Sequence, residues 1–341
     1  MSDFLHASLK ALLAPCAMAL VSSAAPAAAG APELALPVAC EIGRNCFVQN
    51  FFDHDPSPDR RDYSCGRLSY DGHSGTDFRV ADIPSMLRGV TVVAAAGGTV
   101  KAVRDGMPDV GLAGTGREAL EGREAGNGVV IDHGDGWETQ YSHLSKDSTV
   151  VKAGQKVESG TPLGRIGMSG MAEFPHVDFS VRHEGREIDP FTGSADLPAC
   201  GDITRTLWRA DTLAVLRYQP TGGLVSGFAE GPAASAEARK GSYARETLKD
   251  PPALVFWADV FGAQAGDEQQ IRITAPDGNV IHEYASTLKS SNVSWFAFSG
   301  RKRPPEGWQS GKYRGTYTLL RNGAVVARLE DSVDVRRSGT P

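Results

Sequence analysis

Two short motifs carry the side chains best suited to bind a metal ion. His73 and Asp77 lie four positions apart across a Ser-Gly-Thr turn, and His176 and Asp178 alternate along a predicted strand. Residues i and i+2 of a strand share a face, so His176 and Asp178 should point together. A catalytic zinc takes three protein ligands, commonly imidazole or carboxylate, and leaves its fourth position to water. The two motifs therefore predict a zinc site.

Other histidines have weaker claims to this site. His143 ends a predicted strand, where it could hold or protonate a reacting group. His183 lies an odd number of positions from Asp178, which turns it to the opposite face of the strand. His133 and His54 remain outside candidates for a metal ligand.

The order of these motifs resembles the lysostaphin-type, LytM-like family of zinc endopeptidases, which cut peptidoglycan peptides. The resemblance covers roughly residues 63–191, and the run from His73 to Asp77 is similar to the family's HxxxD ligand pair. It implies that His73 and Asp77 ligate zinc. It also implies that His143 and His176 flank the reacting water and the developing oxyanion.

One position departs from the family pattern. The family strand reads HxH and its second histidine is the third zinc ligand, whereas this chain has Asp178 there. A ligand set of one histidine and two aspartates donates more negative charge than the family's set and makes the metal a weaker Lewis acid. Two hypotheses follow. The protein is a secreted zinc metalloendopeptidase that hydrolyses a stem peptide or cross-link of peptidoglycan, or it is a catalytically inactive relative that binds peptidoglycan or regulates another cell-wall hydrolase.

The elements that must position these residues are mainly β-strands. Short β-branched runs separated by glycines predict a LytM-like β-sheet peptidase domain over residues 63–200, interrupted at 105–126 by a segment that could rim a groove. Composition predicts a linker at 201–240. Strand patterns with Asp277-Gly278 and Asn322-Gly323 turns predict a small β-sandwich accessory domain at 241–341, interpreted as a binding or spacer module.

The N-terminal residues predict export. An apolar run followed by small residues indicates a signal peptide at 1–29, too short to span a bilayer, and an N-terminal arm occupies 30–62. We therefore expect a periplasmic or secreted protein. The four remaining cysteines, Cys40, Cys46, Cys65 and Cys200, predict two disulfides. Three pairings are open, of which Cys40 with Cys46 and Cys65 with Cys200 would pin the arm and staple the ends of the peptidase domain.

The charge and composition of the chain limit the classes of molecule that we expect it to bind. The chain has 41 acidic and 35 basic residues and no long basic run, which argues against a nucleic-acid partner. The resemblance implies peptidoglycan as the partner. The C-terminal domain is a candidate contact for a cell-wall hydrolase or another envelope protein.

Overall fold

The computed structural model describes residues 30–337, so the predicted signal peptide lies outside the described residues. The fold is mainly β, as the sequence predicts, with a large sheet followed by a second β-region. The first region contains ten strands, which are β1 Phe47–Asn50, β2 Gly75–Arg79, β3 Thr91–Val93, β4 Gly98–Arg104, β5 Asn127–Gly134, β6 Trp137–Leu144, β7 Lys156–Val157, β8 Pro162–Arg165, β9 His176–His183 and β10 Arg186–Ile188.

Eight of these strands form one antiparallel sheet in the order β1-β2-β9-β6-β5-β4-β7, with β10 paired to β9, while β3 pairs with β8. Alternate residues along the central strands build an apolar face. Tyr141 on β6 lies opposite Phe179 on β9, both buried, and Trp208 packs against Phe179. The opposite face of the same strands is thereby left to polar side chains.

The helices are short and lie between strands. Asp82 caps the first by accepting a hydrogen bond from the Ser85 backbone N–H at 2.8 Å. None of the helices in residues 30–337 has the length and apolar character needed to cross a bilayer. Their bounds are α1 Ile83–Arg88, α2 Gly111–Thr115, α3 Ala210–Val215 and α4 Ser235–Lys240, with a 3₁₀ turn at Glu118–Leu120.

The second region is two facing sheets. One has the order β11-β13-β16 and the other β12-β18-β17-β14-β15, with Phe256 and Tyr317 among the side chains buried between them. The predicted turn at Asn322-Gly323 joins β17 to β18, and both residues have the positive φ that a two-residue hairpin requires. The strands are β11 Gly222–Ala229, β12 Thr247–Lys249, β13 Ala253–Ala263, β14 Glu268–Thr274, β15 Val280–Thr287, β16 Asn292–Lys302, β17 Gly311–Arg321 and β18 Ala324–Arg336.

Residues 201–240, for which composition predicts a linker, hold α3, β11 and α4. Strand β11 pairs with β13 along its length, so the sandwich begins at β11 rather than at residue 241. Glycine and alanine in this segment allow close packing: a Cβ at Gly227 would lie 2.7 Å from the Trp257 ring. Small residues here indicate tight packing against an aromatic side chain, which composition alone does not distinguish from flexibility.

The two regions pack against each other. Phe47 of β1 contacts Phe261 of β13 with ring centroids 6.2 Å apart, and Phe261 is fully buried. The Tyr218 hydroxyl donates a hydrogen bond of 2.8 Å to Asp62 of the N-terminal arm. The arm thus contacts both the large sheet, of which β1 is an edge strand, and the sandwich.

Both disulfides join the cysteines expected from the sequence. Cys40 bonds to Cys46, six residues away, and Cys65 bonds to Cys200, 135 residues away. The longer bridge ties the segment that follows the arm to the segment that follows β10. The shorter one closes a local turn.

We expect the two bridges to contribute unequally to stability. Loop-closure entropy predicts that replacing Cys65 and Cys200 together by alanine lowers the free energy of unfolding by about 5 kcal/mol, against about 2 kcal/mol for Cys40 and Cys46. Denaturant titration of the two double variants and the oxidised wild type measures both values. An equal or larger loss from the Cys40 and Cys46 pair would contradict this assignment of the stabilising bridge.

Candidate metal centre and catalytic site

The two predicted motifs meet where β2 and β9 pair. The antiparallel register places Asp77 opposite Asp178 and Arg79 opposite His176, so these side chains share one face of the sheet. His176 Nε2 lies 3.5 Å from Asp77 Oδ1, and Asp178 Oδ1 lies 3.7 Å from His73 Nε2. The pairing of two strands distant in sequence therefore assembles the site.

His73, Asp77 and Asp178 form a compact group of metal-ligating atoms. One ligand atom from each residue lies within 4.8 Å of the other two, and His73 Nε2 is 3.2 Å from Asp77 Oδ1. Two ligands bound tetrahedrally to one zinc lie about 3.3 Å apart. No other group of three such side chains occurs in the described part of the chain.

Two atoms of this group are buried without a hydrogen-bond partner. His73 Nε2 and Asp77 Oδ1 are both inaccessible to solvent, and although they are close, their geometry is not that of a hydrogen bond. An unsatisfied buried polar atom is unfavourable by about 1–3 kcal/mol. A cation between these atoms would satisfy both, so the residues present fit a zinc ion.

The N-terminal arm fixes the orientation of both buried ligands. The Phe51 carbonyl lies 2.9 Å from His73 Nδ1 and accepts its N–H, which leaves Nε2 facing the site. The Asn50 side-chain amide donates to Asp77 Oδ2 at 2.7 Å, which leaves Oδ1 facing the site. Such outer partners set the tautomer and direction of metal ligands. Sequence analysis missed Asn50 and Phe51, because nothing in their spacing links the arm to the motifs.

His143 and His176 lie side by side next to this group, with ring centroids 4.7 Å apart. Their Nδ1 atoms contact the carbonyls of Ser169 and Phe174, each at 2.8 Å, so each ring is oriented with Nε2 available. His143 has a positive φ of 63°, a strained conformation that side chains at functional sites often adopt. Two oriented imidazoles beside a metal centre can hold and transfer a proton.

The surroundings of His73 and His143 shift the pKa values of these two residues in opposite directions. Burial disfavours the charged form of His73, but Asp77 and Asp178 outweigh it and raise the pKa of His73 well above its usual value. A bound metal would therefore displace a proton from this ring. Burial and the neighbouring His176 lower the pKa of His143 to about 4. His143 is thus neutral at pH 7 and able to accept a proton.

The remaining candidate histidines lie elsewhere. His133 contacts the Gly97 carbonyl and the Thr139 hydroxyl, and His183 stacks on Trp137 with ring centroids 4.2 Å apart. His54 Nε2 lies 2.8 Å from Asp189 Oδ2, with both side chains fully buried. This last pair fastens the arm to the end of the peptidase domain.

A cavity of about 600 Å³ opens beside Asp77 and His176. Leu112 and Arg117 line it, so the segment at 105–126 does border a groove, as its length suggested. Tyr70 also lines the cavity and stacks on the His73 ring with centroids 4.3 Å apart. The cavity gives a substrate access to the face that carries the ligands.

Comparison with known families agrees with this geometry. Residues 72–190, which carry all five candidate site residues, match the model of peptidase family M23. Over these residues the chain is similar to M23 peptidases. The family consists of metallopeptidases, and the LytM-like resemblance is thereby confirmed.

The curated relatives match part of this chain. An uncharacterized metalloprotease of Haemophilus influenzae is 33% identical over 136 residues, which are 40% of this chain and 23% of the relative. Peptidoglycan DD-endopeptidase ShyA of Vibrio cholerae is 37% identical over 81 residues, 24% of this chain and 18% of the relative. The chain thus spans about a fifth of the length of these two relatives.

One solved structure that matches is the catalytic domain of the prophage-encoded M23 protein EnpA from Enterococcus faecalis. It is 21% identical, with a TM-score of 0.31, and the match covers 48% of this chain and 96% of that domain.

We expect the protein to bind one zinc per chain through His73, Asp77 and Asp178. Replacing Asp178 by alanine removes one of three ligands and should lower zinc occupancy at least tenfold, measured by metal analysis after dialysis at a fixed free zinc concentration. His133→Ala is the matched control and should keep full occupancy. Full occupancy in Asp178→Ala, with loss in His133→Ala or His54→Ala, would refute this ligand set.

Proposed function

We propose that this protein is a zinc metalloendopeptidase that hydrolyses peptide bonds of peptidoglycan outside the cytoplasm. The observation that carries the proposal is the convergence of His73, Asp77 and Asp178, with two buried unpaired ligand atoms, beside two oriented imidazoles. The substrate class is suggested by the M23 domain and by a relative named as a peptidoglycan DD-endopeptidase. The two disulfides favour an oxidising compartment, in agreement with an exported protein.

In this proposal His73 Nε2 and the carboxylates of Asp77 and Asp178 hold the zinc. Zinc supplies Lewis acidity, which polarises a substrate carbonyl and acidifies water. The chain's own groups do the remaining work. The Phe51 carbonyl and the Asn50 amide keep the ligand atoms directed at the centre.

His143 and His176 handle protons and charge. Neutral His143 can accept the proton of the attacking water at Nε2, because its pKa of about 4 leaves it unprotonated at pH 7. His176 Nε2, next to Asp77, can donate a hydrogen bond to the oxygen that becomes negative in the transition state. A proton held between the two rings can pass to the leaving amine. One such group contributes roughly a hundredfold or more to rate.

Asp178 favours a second candidate function. With two carboxylates and one imidazole the ligand set is formally dianionic, which neutralises a zinc ion and weakens its Lewis acidity. The same domain could therefore bind peptidoglycan without cutting it, or regulate another cell-wall hydrolase. In either case the accessory sandwich is a candidate surface for an envelope partner.

Replacing His176 by alanine separates catalysis from binding. The variant should keep near-stoichiometric zinc and sediment with cell-wall sacculi, yet release new amino groups at least a hundredfold more slowly than wild type. His183→Ala, on the same strand β9 but stacked on Trp137, is the matched control and should cleave normally. If zinc-loaded wild type binds sacculi of several wall types and releases no amino groups, the binding or regulatory function replaces the enzyme.

Substitution of Asp178 by histidine tests how the third ligand limits turnover. A neutral imidazole leaves more positive charge on the metal, so the variant should bind zinc and cleave sacculi faster than wild type. The initial rate of amino-group release at saturating zinc measures this effect. A zinc-loaded Asp178→His variant slower than wild type would show that the aspartate is the better ligand for this site.

A further inference from the structure

The cavity beside the site contains positive charge that neither zinc binding nor proton transfer uses. Arg79 and Arg60 both line it, together with Asp77 and His176. Neither arginine has a carboxylate within 4 Å in the part of the chain that the structure describes. Unpaired guanidinium groups in a substrate cavity are a recognition element for an anion.

Arg79 is the more deeply buried of the two, with 1% of its surface exposed. It lies on β2 directly opposite His176, two residues from Asp77 on the same face. Its guanidinium donates to the Val80 and Ala81 carbonyls and to the Gln49 side chain. These three acceptors are all neutral.

No carboxylate bonds directly to the Arg79 guanidinium, although Asp259, Asp77 and Asp82 act on its charge from a greater distance. Burial lowers the pKa of Arg79 to about 10, so it stays protonated at neutral pH. Its guanidinium carbon lies 4.5 Å from the centre of the Phe174 ring, which adds a weak cation–π contact but no negative charge. An anionic ligand in the cavity would give this buried guanidinium a directly bonded partner.

Arg60 approaches the same cavity from the N-terminal arm. It is half-buried, and its Nε is inaccessible to solvent without a hydrogen-bond partner. The acids that line the cavity, apart from the ligand Asp77, are Asp71 and Glu173, and both are exposed. Solvent screens exposed carboxylates much more than it screens a buried guanidinium. Arg79 and Arg60 therefore supply buried positive charge to the cavity, beside the metal ligand Asp77.

The accessory sandwich builds one wall of this cavity. Arg239 of α4 and Ser294 of β16 line it, and Arg239 donates to Ser294 and forms a two-pronged ion pair, at 2.6 and 2.9 Å, with the fully buried Asp259. Because its charge is already paired, Arg239 fixes the wall rather than attracting the ligand. The sandwich is therefore part of the substrate cavity, beyond the spacer or binding module expected from sequence.

We infer that Arg79 and Arg60 form a carboxylate subsite, which selects peptides carrying a free carboxylate on the residue next to the scissile amide. The inference rests on the proposed function and specifies the substrate class of that same site. Since Arg79 pairs across the strands with His176, a carboxylate bound by Arg79 would lie on the same face as the group proposed to act on the reacting amide. An amidated or esterified residue at that position lacks the charge that the two arginines need.

Binding of two matched peptides tests the subsite without turnover. The probes are fluorescently labelled Lys-D-Ala-D-Ala with a free C-terminal carboxylate and the same peptide as its C-terminal carboxamide. Zinc-free protein is used, because a carboxylate could otherwise bind the metal itself. A charge-assisted hydrogen bond predicts at least tenfold tighter binding of the acid, measured by fluorescence anisotropy.

Variants assign this preference to the arginines. Arg60→Gln should reduce the acid-to-amide affinity ratio at least threefold, and Arg79→Lys, which keeps the charge but loses the planar fork, should reduce it as well. Arg67→Gln is the matched control, since Arg67 is exposed, pairs with Asp59 and lies outside this cavity; its ratio should be unchanged. Thermal unfolding shows whether each variant is folded. If Arg79→Lys is unstable, the affinity ratio of Arg60→Gln alone decides the test.

The binding results test the carboxylate subsite independently of the proposed peptidase activity. Equal binding of acid and amide, no binding of either at millimolar concentration, or a ratio that Arg60→Gln leaves unchanged overturns the subsite, even if the protein cleaves sacculi. Selective binding of the acid that depends on Arg60 supports the subsite. This support holds even if the zinc-loaded protein cleaves no peptide bond, a result that would contradict the proposed peptidase activity.

Discussion

The pairing of β2 with β9 is the constraint on which the rest of the site depends. It places Asp77 opposite Asp178 and Arg79 opposite His176 on one face, although about a hundred residues separate the two strands. Because side chains alternate along a strand, a one-residue slip of β9 against β2 would turn His176 and Asp178 toward the apolar face, where Phe78 and Phe179 pack. The buried aromatic residues therefore fix the register, and the register fixes the geometry of the ligands. Stability of the core and assembly of the metal centre are here the same requirement.

A second level of control comes from segments outside the sheet. Main-chain carbonyls contact Nδ1 of three histidines, so that each Nε2 is directed to the centre, and the carbonyl for His73 comes from Phe51 in the N-terminal arm. The arm is in turn held by the His54–Asp189 pair, by the two disulfides and by the Tyr218 hydroxyl. The accessory sandwich completes the arrangement, because it packs on β1 and walls the cavity. The candidate site thus depends on parts of the chain that carry no recognisable motif.

The sequence predicts the features that follow from local rules. Spacing identifies His73 and Asp77, strand alternation puts His176 and Asp178 on one face, and two hairpin turns mark the sandwich. The sequence does not predict features that depend on tertiary contacts. Asn50 and Arg79 belong to no spacing rule and become meaningful only when β1, β2 and β9 are adjacent. The composition of residues 201–240 predicts a linker, but it does not reveal that β11 pairs with β13, because glycine and alanine occur both in flexible segments and where packing is tight, as beside the Trp257 ring at Gly227.

We propose that one zinc is held by His73, Asp77 and Asp178 beside His143 and His176. Anomalous X-ray diffraction above and below the zinc absorption edge, on crystals of the zinc-loaded protein, locates the metal. We expect a single strong anomalous peak per chain, about 2.0–2.2 Å from His73 Nε2 and from one oxygen each of Asp77 and Asp178. A peak at His54 or His133 instead, or one at His73 and Asp77 that does not contact Asp178, would contradict it.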